Sequence, residues 1–315
     1  MPPGELMTGV ASMMSVPANS APPVVRSADL DASFRYCARV TRGAARNFYH
    51  GLRLLPRPRR KAMFALYAYM RRIDDIADSA ESGAANIAAE IESWRQKTRL
   101  ALSGDVPPDE SPLWPALMDT VRMYGLPAAI LEEALDGQAQ DASHRPFENS
   151  EELRRYCRRV AGTVGVATVM IFGNRGGEEA LRLAEGRGVA FQITNILRDV
   201  REDAGRGRCY LPLDALALEG LSADCVLEGR SPEQVARVVA AMCEFAAGLF
   251  SESKPLDAMI EHESRPAMRA LTGLYREILM KIEADPARVL RERVSLAWHA
   301  KARIVLRSMM RSSGA

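Results

Sequence analysis

Lysine is scarce in this sequence: Lys61, Lys97, Lys254, Lys281 and Lys301 are the only five among 42 basic residues. Nearly all the positive charge is arginine, whose planar fork matches phosphate oxygens, although a GC-rich coding bias produces the same composition. Histidine is limited to His50, His144, His262 and His299, scattered along the chain, which argues against a site for a transition metal. The five cysteines, Cys37, Cys157, Cys209, Cys225 and Cys243, include no close-spaced pair. That excludes the usual zinc spacings and a disulfide framework, and points to a reduced cytosolic setting. Aromatics make up 6% of the residues, and no strand-length run of alternating β-branched residues stands out. No repeat of 20–50 residues is present. The longest apolar run, Val164 to Phe172, is about half the roughly 20 residues of a membrane helix. The start lacks a basic region followed by an apolar core, so no signal peptide is expected. Any contact with a membrane would be peripheral. A net charge of +2 is too balanced for a nucleic-acid partner.

What the sequence does contain is helix. Alanine, leucine and arginine recur throughout, and they favour helix over strand. Residues 1–30 are rich in Pro, Ser, Ala and Met without periodicity, and read as a disordered leader. A single all-helical domain is expected over 31–310, followed by a short tail at 311–315. Helices are expected over 59–79, 84–102, 112–124, 127–136, 150–172, 178–203, 231–251, 266–283 and 287–310, with breaks at the Pro and Gly clusters between them. Ser231-Pro232-Glu233 is a good helix start, because serine can cap and proline is tolerated in the first turn.

Two acidic motifs about 120 residues apart carry the chemistry. In the first, Tyr67, Arg71, Asp74 and Asp78 fall within about 60° of one another at 100° per residue. In the second, Gln192, Asn195, Asp199 and Asp203 share a stripe about 80° wide. Like charges at i,i+4 destabilise a helix, so two such rows facing one cavity call for cations between them. Magnesium fits: it takes hard oxygen ligands from one or two carboxylates and completes its shell with water and phosphate. Such sites are built in the core of helical bundles. The bland alternative is a pair of solvated faces matched by the many arginines. Asn and Gln in register with the carboxylates argue against it.

These residues resemble the squalene/phytoene synthase family. The first signature runs from Tyr67 to Asp78 (YAYMRRIDDIAD) and the second from Gln192 to Asp203 (QITNILRDVRED), continuing through Gly207-Arg208-Cys209-Tyr210-Leu211-Pro212. Between them lies Tyr156 to Gly165 (YCRRVAGTVG). The resemblance covers about Ser33 to Met309. It implies an isoprenoid synthase-type helical bundle with a central cavity. It also implies magnesium held by Asp74, Asp78, Asp199 and Asp203, and polar contacts to the metal and diphosphate from Gln192 and Asn195. Arg71, Arg198 and Arg293 would hold diphosphate, and Tyr67, Tyr156 and Tyr275 would line the cavity. Gly162 and Gly165 read as sites of close helix packing. Asn47-Phe48 departs from the Ser or Thr that family members often carry before this Phe.

The implied reaction joins two prenyl diphosphates head to head, as a monomer or weak dimer, in the cytoplasm or peripheral to a membrane where an apolar product is released. Asn195-Ile196-Leu197-Arg198 and Leu54-Leu55-Pro56 look more like the bacterial farnesyl-using branch, which proceeds through presqualene diphosphate. Phytoene synthesis from geranylgeranyl diphosphate is the alternative. No Gly-x-Gly-x-x-Gly follows a strand, so NADPH is not favoured. Two other classes stand further off. A head-to-tail synthase or terpene cyclase is disfavoured by the second signature, and a non-catalytic assembly protein of this fold by the retained aspartates.

Overall fold

A computed structural model describes residues 27–44, 46–77, 84–105, 107, 111–142 and 145–310. Asp78 and the side chain of Asn47 lie outside the described residues, as do most of the expected leader and the 311–315 tail. The described residues are almost entirely helical, and their one β feature is an isolated bridge between Asn174 and Ile260.

Helix α1 covers Ser27–Ala44 and so begins inside the stretch expected to be a leader. It is followed by α2, Arg46–Leu52, and by α3, Arg57–Ala77, which carries the first acidic motif. Pro58 sits in the first turn of α3, where no N–H partner is needed. One face of α3 buries Met63, Leu66, Tyr69, Ile73 and Ile76. Tyr69 is fully buried, hydrogen-bonds Thr98 at 3.0 Å and lies against Trp94 and Trp114. Those tryptophans come from α4, Ala84–Ser103, and α5, Trp114–Tyr124.

Helix α6 spans Ala128–Ala142 and runs through Gly137, beyond the expected stop at 136. A Cβ at Gly137 would lie 2.5 Å from Val160 Cγ1 and 3.1 Å from Arg159 Cβ. The glycine is there for close approach, not to end the helix. The expected 150–172 helix is three pieces: α7, Ser150–Cys157, a π-helical segment at Arg158–Gly162, and α8, Thr163–Phe172. Such π segments insert one extra residue and are frequent at functional sites.

Helix α9, Gly177–Gly205, is the longest at 29 residues and packs against α8 and the π segment. A Cβ on Gly165 would collide with the carbonyl of Ala184, and one on Gly188 with that of Ala161. The expected role of Gly165 in close packing holds. Short helices α10 (Leu213–Leu218) and α11 (Ala223–Leu227) lead to α12, Pro232–Glu252, which starts at the expected proline, but Ser231 takes left-handed backbone (φ 52°) and its side chain makes no cap bond. The stretch Pro232–Met259 is long and apolar enough to cross a membrane by length and composition, contrary to the sequence expectation. Instead Val235, Val239, Cys243 and Ala246 of α12 are buried in the protein core against α9 and α14.

After α13 (Leu256–Met259) comes α14, Arg265–Ala284. The expected helix over 287–310 is not continuous. A 3₁₀ turn at Pro286–Leu290 gives way to a non-helical stretch, and α15 covers only Trp298–Met310. In that stretch Val294 and Leu296 are buried, and the Val294 N–H donates to the Arg198 carbonyl at 3.3 Å. Tertiary burial overrides the helical pattern there. Two buried clusters result, one centred on α1, α3–α6 and α8, the other on α7, α9, α12 and α14.

Candidate active site

Helices α3 and α9 both line a cavity of about 830 Å³, walled also by residues of α6, α8 and α14. Along α3 the lining passes from Met63 and Leu66 through Tyr67, Met70 and Arg71 to Asp74. Along α9 it passes from Ala184 and Phe191 through Gln192 and Asn195 to Arg198, Asp199 and Asp203. Both helices turn from apolar to polar toward their C-terminal ends. The two polar stripes, one on each helix, thus meet at one polar end of one cavity. Tyr156, Tyr275 and Arg293 line it as well. Asp78 lies outside the described residues.

The polar end is dense in charge. Asp199 is gripped by Arg198 through two bonds, at 2.8 and 2.5 Å, and by Arg293 Nε at 2.9 Å. Arg293 also reaches Glu202 at 3.3 Å. Asp203 is pushed up to about 7, by burial first and then by the neighbouring negative charge of Asp199. Asp74 accepts a hydrogen bond from Gln138 at 2.8 Å. Arg71 pairs with Asp75 one turn on at 2.5 Å, while still lining the cavity. Burial raises the Tyr67 hydroxyl to about 12, and Arg71, Asp74 and Tyr275 all act on it. Tyr275 itself stacks on Phe191 with ring centroids 4.1 Å apart.

Sequence reasoning missed Asp141. It sits near the end of α6 and accepts from the Tyr210 hydroxyl at 2.5 Å. Burial, and then the Asp141 charge, push Tyr156 far above the usual tyrosine range. Gln138, Arg206, Arg208 and Lys301 also line the cavity. The available signal was the i,i+3 pair Gln138 and Asp141, hidden because Gly137 reads as a helix stop. Arg187, at the apolar end, is buried and held by Asp257, Ser253 and Thr272.

Asp74, Asp199 and Asp203 with Gln192 and Asn195 offer the polar end the oxygen donors that a hard divalent cation requires. Among the described residues no group of three or more His, Cys, Asp or Glu is close enough to enclose a metal alone, so its shell would need substrate oxygens or water. Two further observations fit a cation there. Asn195 Oδ1 is buried without a hydrogen-bond partner, and the like-charged Asp199 and Asp203 repel each other as they stand.

An all-helical shell around such a cavity is the isoprenoid synthase-type fold. The same fold is seen in a dehydrosqualene synthase, with a TM-score of 0.82 and 24% identity over 91% of this chain and 99% of that one. A squalene synthase from Alicyclobacillus acidocaldarius superposes with a TM-score of 0.74 and 26% identity, covering 87% of this chain and 97% of the other. The family model described as squalene/phytoene synthase matches residues 41–299. A phytoene synthase of Mycobacterium tuberculosis is 35% identical over 287 residues, 90% of this chain and 93% of its own. A 15-cis-phytoene synthase of Synechococcus elongatus is 31% identical over 281 residues, 84% and 89% of the two chains. The chain belongs to the squalene/phytoene synthase family, and it is a prenyltransferase of the head-to-head type.

Proposed function

We propose that the protein condenses two molecules of farnesyl diphosphate head to head through presqualene diphosphate, with magnesium at Asp74, Asp199 and Asp203, joined by Asp78 of the same motif. The observation that carries this reading is the single cavity with carboxylates and arginines at one end and an apolar lining at the other. Magnesium, when bound, supplies positive charge that favours departure of diphosphate. Arg198 and Arg293, now on Asp199, are placed to turn to the diphosphate oxygens once that carboxylate has another cation. Arg71 approaches from α3. Gln192 and Asn195 orient the polar head, and the apolar walls exclude water from the allylic cation.

The depth of the cavity supports the shorter chain. From Met63 to Asp74 along α3 is about 16 Å, and from Ala184 to Asp199 along α9 about 22 Å, at 1.5 Å rise per residue. A farnesyl chain of three isoprene units fits along that depth beyond the polar end. A second reading, phytoene synthesis from two geranylgeranyl diphosphates, is favoured by the 31–35% identity to phytoene synthases.

Incubation with each diphosphate separately, with and without NADPH, followed by product mass, separates the two. The expected result is a thirty-carbon skeleton from farnesyl diphosphate whose formation does not require NADPH. Efficient forty-carbon product with little farnesyl turnover reverses the order of the two readings.

A further inference from the structure

Helix α15 is amphipathic the wrong way round for a helix of a protein free in water. Its inner face, Ala300, Ile304 and Ser308, packs toward α14 and α2. Its outer face is apolar. Val305, Trp298, Met309, Ala302, Leu306 and Met310 lie in that order over an arc of about 140° at 100° per residue, with His299 also within the arc. Trp298 is 80% exposed, Met310 74% and Leu306 60%. Large apolar side chains grouped this way mark a surface that something covers.

Charge says what covers it. Arg303 and Arg307 flank one edge of the arc and Lys301 the other. From Arg293 to Ala315 the sequence carries Arg293, Lys301, Arg303, Arg307 and Arg311 and not one Asp or Glu, against a net charge of only +2 for the whole chain. A second copy laid on this face would set arginine against arginine with no carboxylate to match. An anionic lipid surface matches both features at once. Tryptophan and leucine enter the acyl boundary while arginines meet the headgroups.

Position adds a third argument. Arg293, Val294, Ser295, Leu296 and Lys301 line the catalytic cavity, so α15 begins two residues beyond the cavity wall and adds Lys301 to it. We propose that α15 seats the enzyme on an anionic membrane through Trp298, Leu306, Met309 and Met310, with Arg303 and Arg307 on the headgroups and the cavity wall beside the lipid. An apolar prenyl product then leaves into the bilayer without crossing water. The inference needs only a prenyl substrate, and holds for either chain length proposed above.

The full chain provides its own probe. Of its three tryptophans, Trp94 and Trp114 are buried at 4% and 3% exposure, so a change in emission on binding reports Trp298. With vesicles of phosphatidylglycerol the protein should float with the lipid and its emission should shift to the blue. With phosphatidylcholine vesicles both effects should weaken at least tenfold, as they should at high salt. Trp298→Ser with Leu306→Ser should cut binding at least tenfold while leaving the melting temperature within a degree or two. Arg303→Gln with Arg307→Gln should remove the preference for phosphatidylglycerol. Failure of the wild type to float with phosphatidylglycerol overturns the proposal, as does undiminished binding by the Trp298→Ser, Leu306→Ser variant. Concentration-dependent dimerisation abolished by Leu306→Arg, with no vesicle binding, would assign the face to a second copy instead.

Discussion

Arg293 donates from Nε to the Asp199 carboxylate at 2.9 Å, from a non-helical segment that the Val294 N–H ties to the Arg198 carbonyl at 3.3 Å. Arg198 holds the same carboxylate from within α9. Two guanidinium groups thus occupy the coordination side of a residue that the family resemblance makes a metal ligand. Arginine at a carboxylate is replaceable by a harder cation, because the same fork then fits the diphosphate. Asp199→Asn and Asp74→Asn should each lower turnover about a hundredfold or more, the range seen when one preorganised electrostatic group is lost. Helicity by circular dichroism should not change. Wild-type turnover in both variants would remove the metal assignment.

Arg71 separates a structural from a chemical role more sharply. Its pairing with Asp75 is half exposed, and an i,i+4 pair of that kind contributes about 0.2–0.5 kcal/mol. Lysine can make the same pair. It cannot offer two parallel donors to a diphosphate. Arg71→Lys should therefore keep the melting temperature and lower kcat/KM about tenfold or more, with no rescue by added magnesium. If kcat/KM is unchanged, Arg71 serves the helix, and Arg198 and Arg293 hold the leaving group.

The polar end of the cavity was legible in the sequence because helical periodicity alone fixes which side chains of one helix share a face. Tyr67, Arg71 and Asp74 needed nothing else, nor did Gln192, Asn195, Asp199 and Asp203. Asp141 was not legible, since its contact with Tyr210 joins positions 69 residues apart and Gly137 reads locally as a stop. The extended path through Val294 and Leu296 was hidden for the opposite reason. Its apolar spacing suits a helix, and only burial against α9 makes the extended form better. The outward apolar face of α15 was not read from the sequence, because periodicity does not say which face of a helix points out.

Gly137 gives a test of that packing. A methyl group there would meet Val160 Cγ1 at 2.5 Å and the Val160 backbone nitrogen at 3.3 Å, and backbone yields less readily than a flexible side chain. Gly137→Ala should destabilise the protein by about 1–3 kcal/mol, as overpacking does, despite the better helix propensity of alanine. It should also lower kcat, because Gln138 and Asp141 are carried on the same turn. A melting temperature equal to or above wild type would show that the π segment moves aside freely.

Asp203 sets a pH dependence whose sign is opposite to that of the protein's paired carboxylates. Its folded pKa is raised from 3.8 to about 7 by burial and by Asp199. Between those values the folded chain holds a proton that the unfolded chain has lost. Its contribution to stability is therefore full below about pH 4 and is lost as pH rises toward 7, with a slope of at most about 1.4 kcal/mol per pH unit. Glu132, Glu152, Glu179 and Glu261 are shifted down by their arginine or backbone partners. They lose stability only as pH falls below about 4.5, outside this window. Glu185, raised by burial, acts in the same direction as Asp203, so Glu185→Gln is the control background. In EDTA the melting temperature should rise as pH is lowered from about 7 to about 5, and Asp203→Asn should flatten that rise in the Glu185→Gln chain. Magnesium with inorganic pyrophosphate should reverse the slope, since it favours the ionised carboxylate. A slope in EDTA that is unaffected by Asp203→Asn would mean that Asp203 is already ionised in the metal-free cavity, with Arg206 and Arg208 outweighing burial.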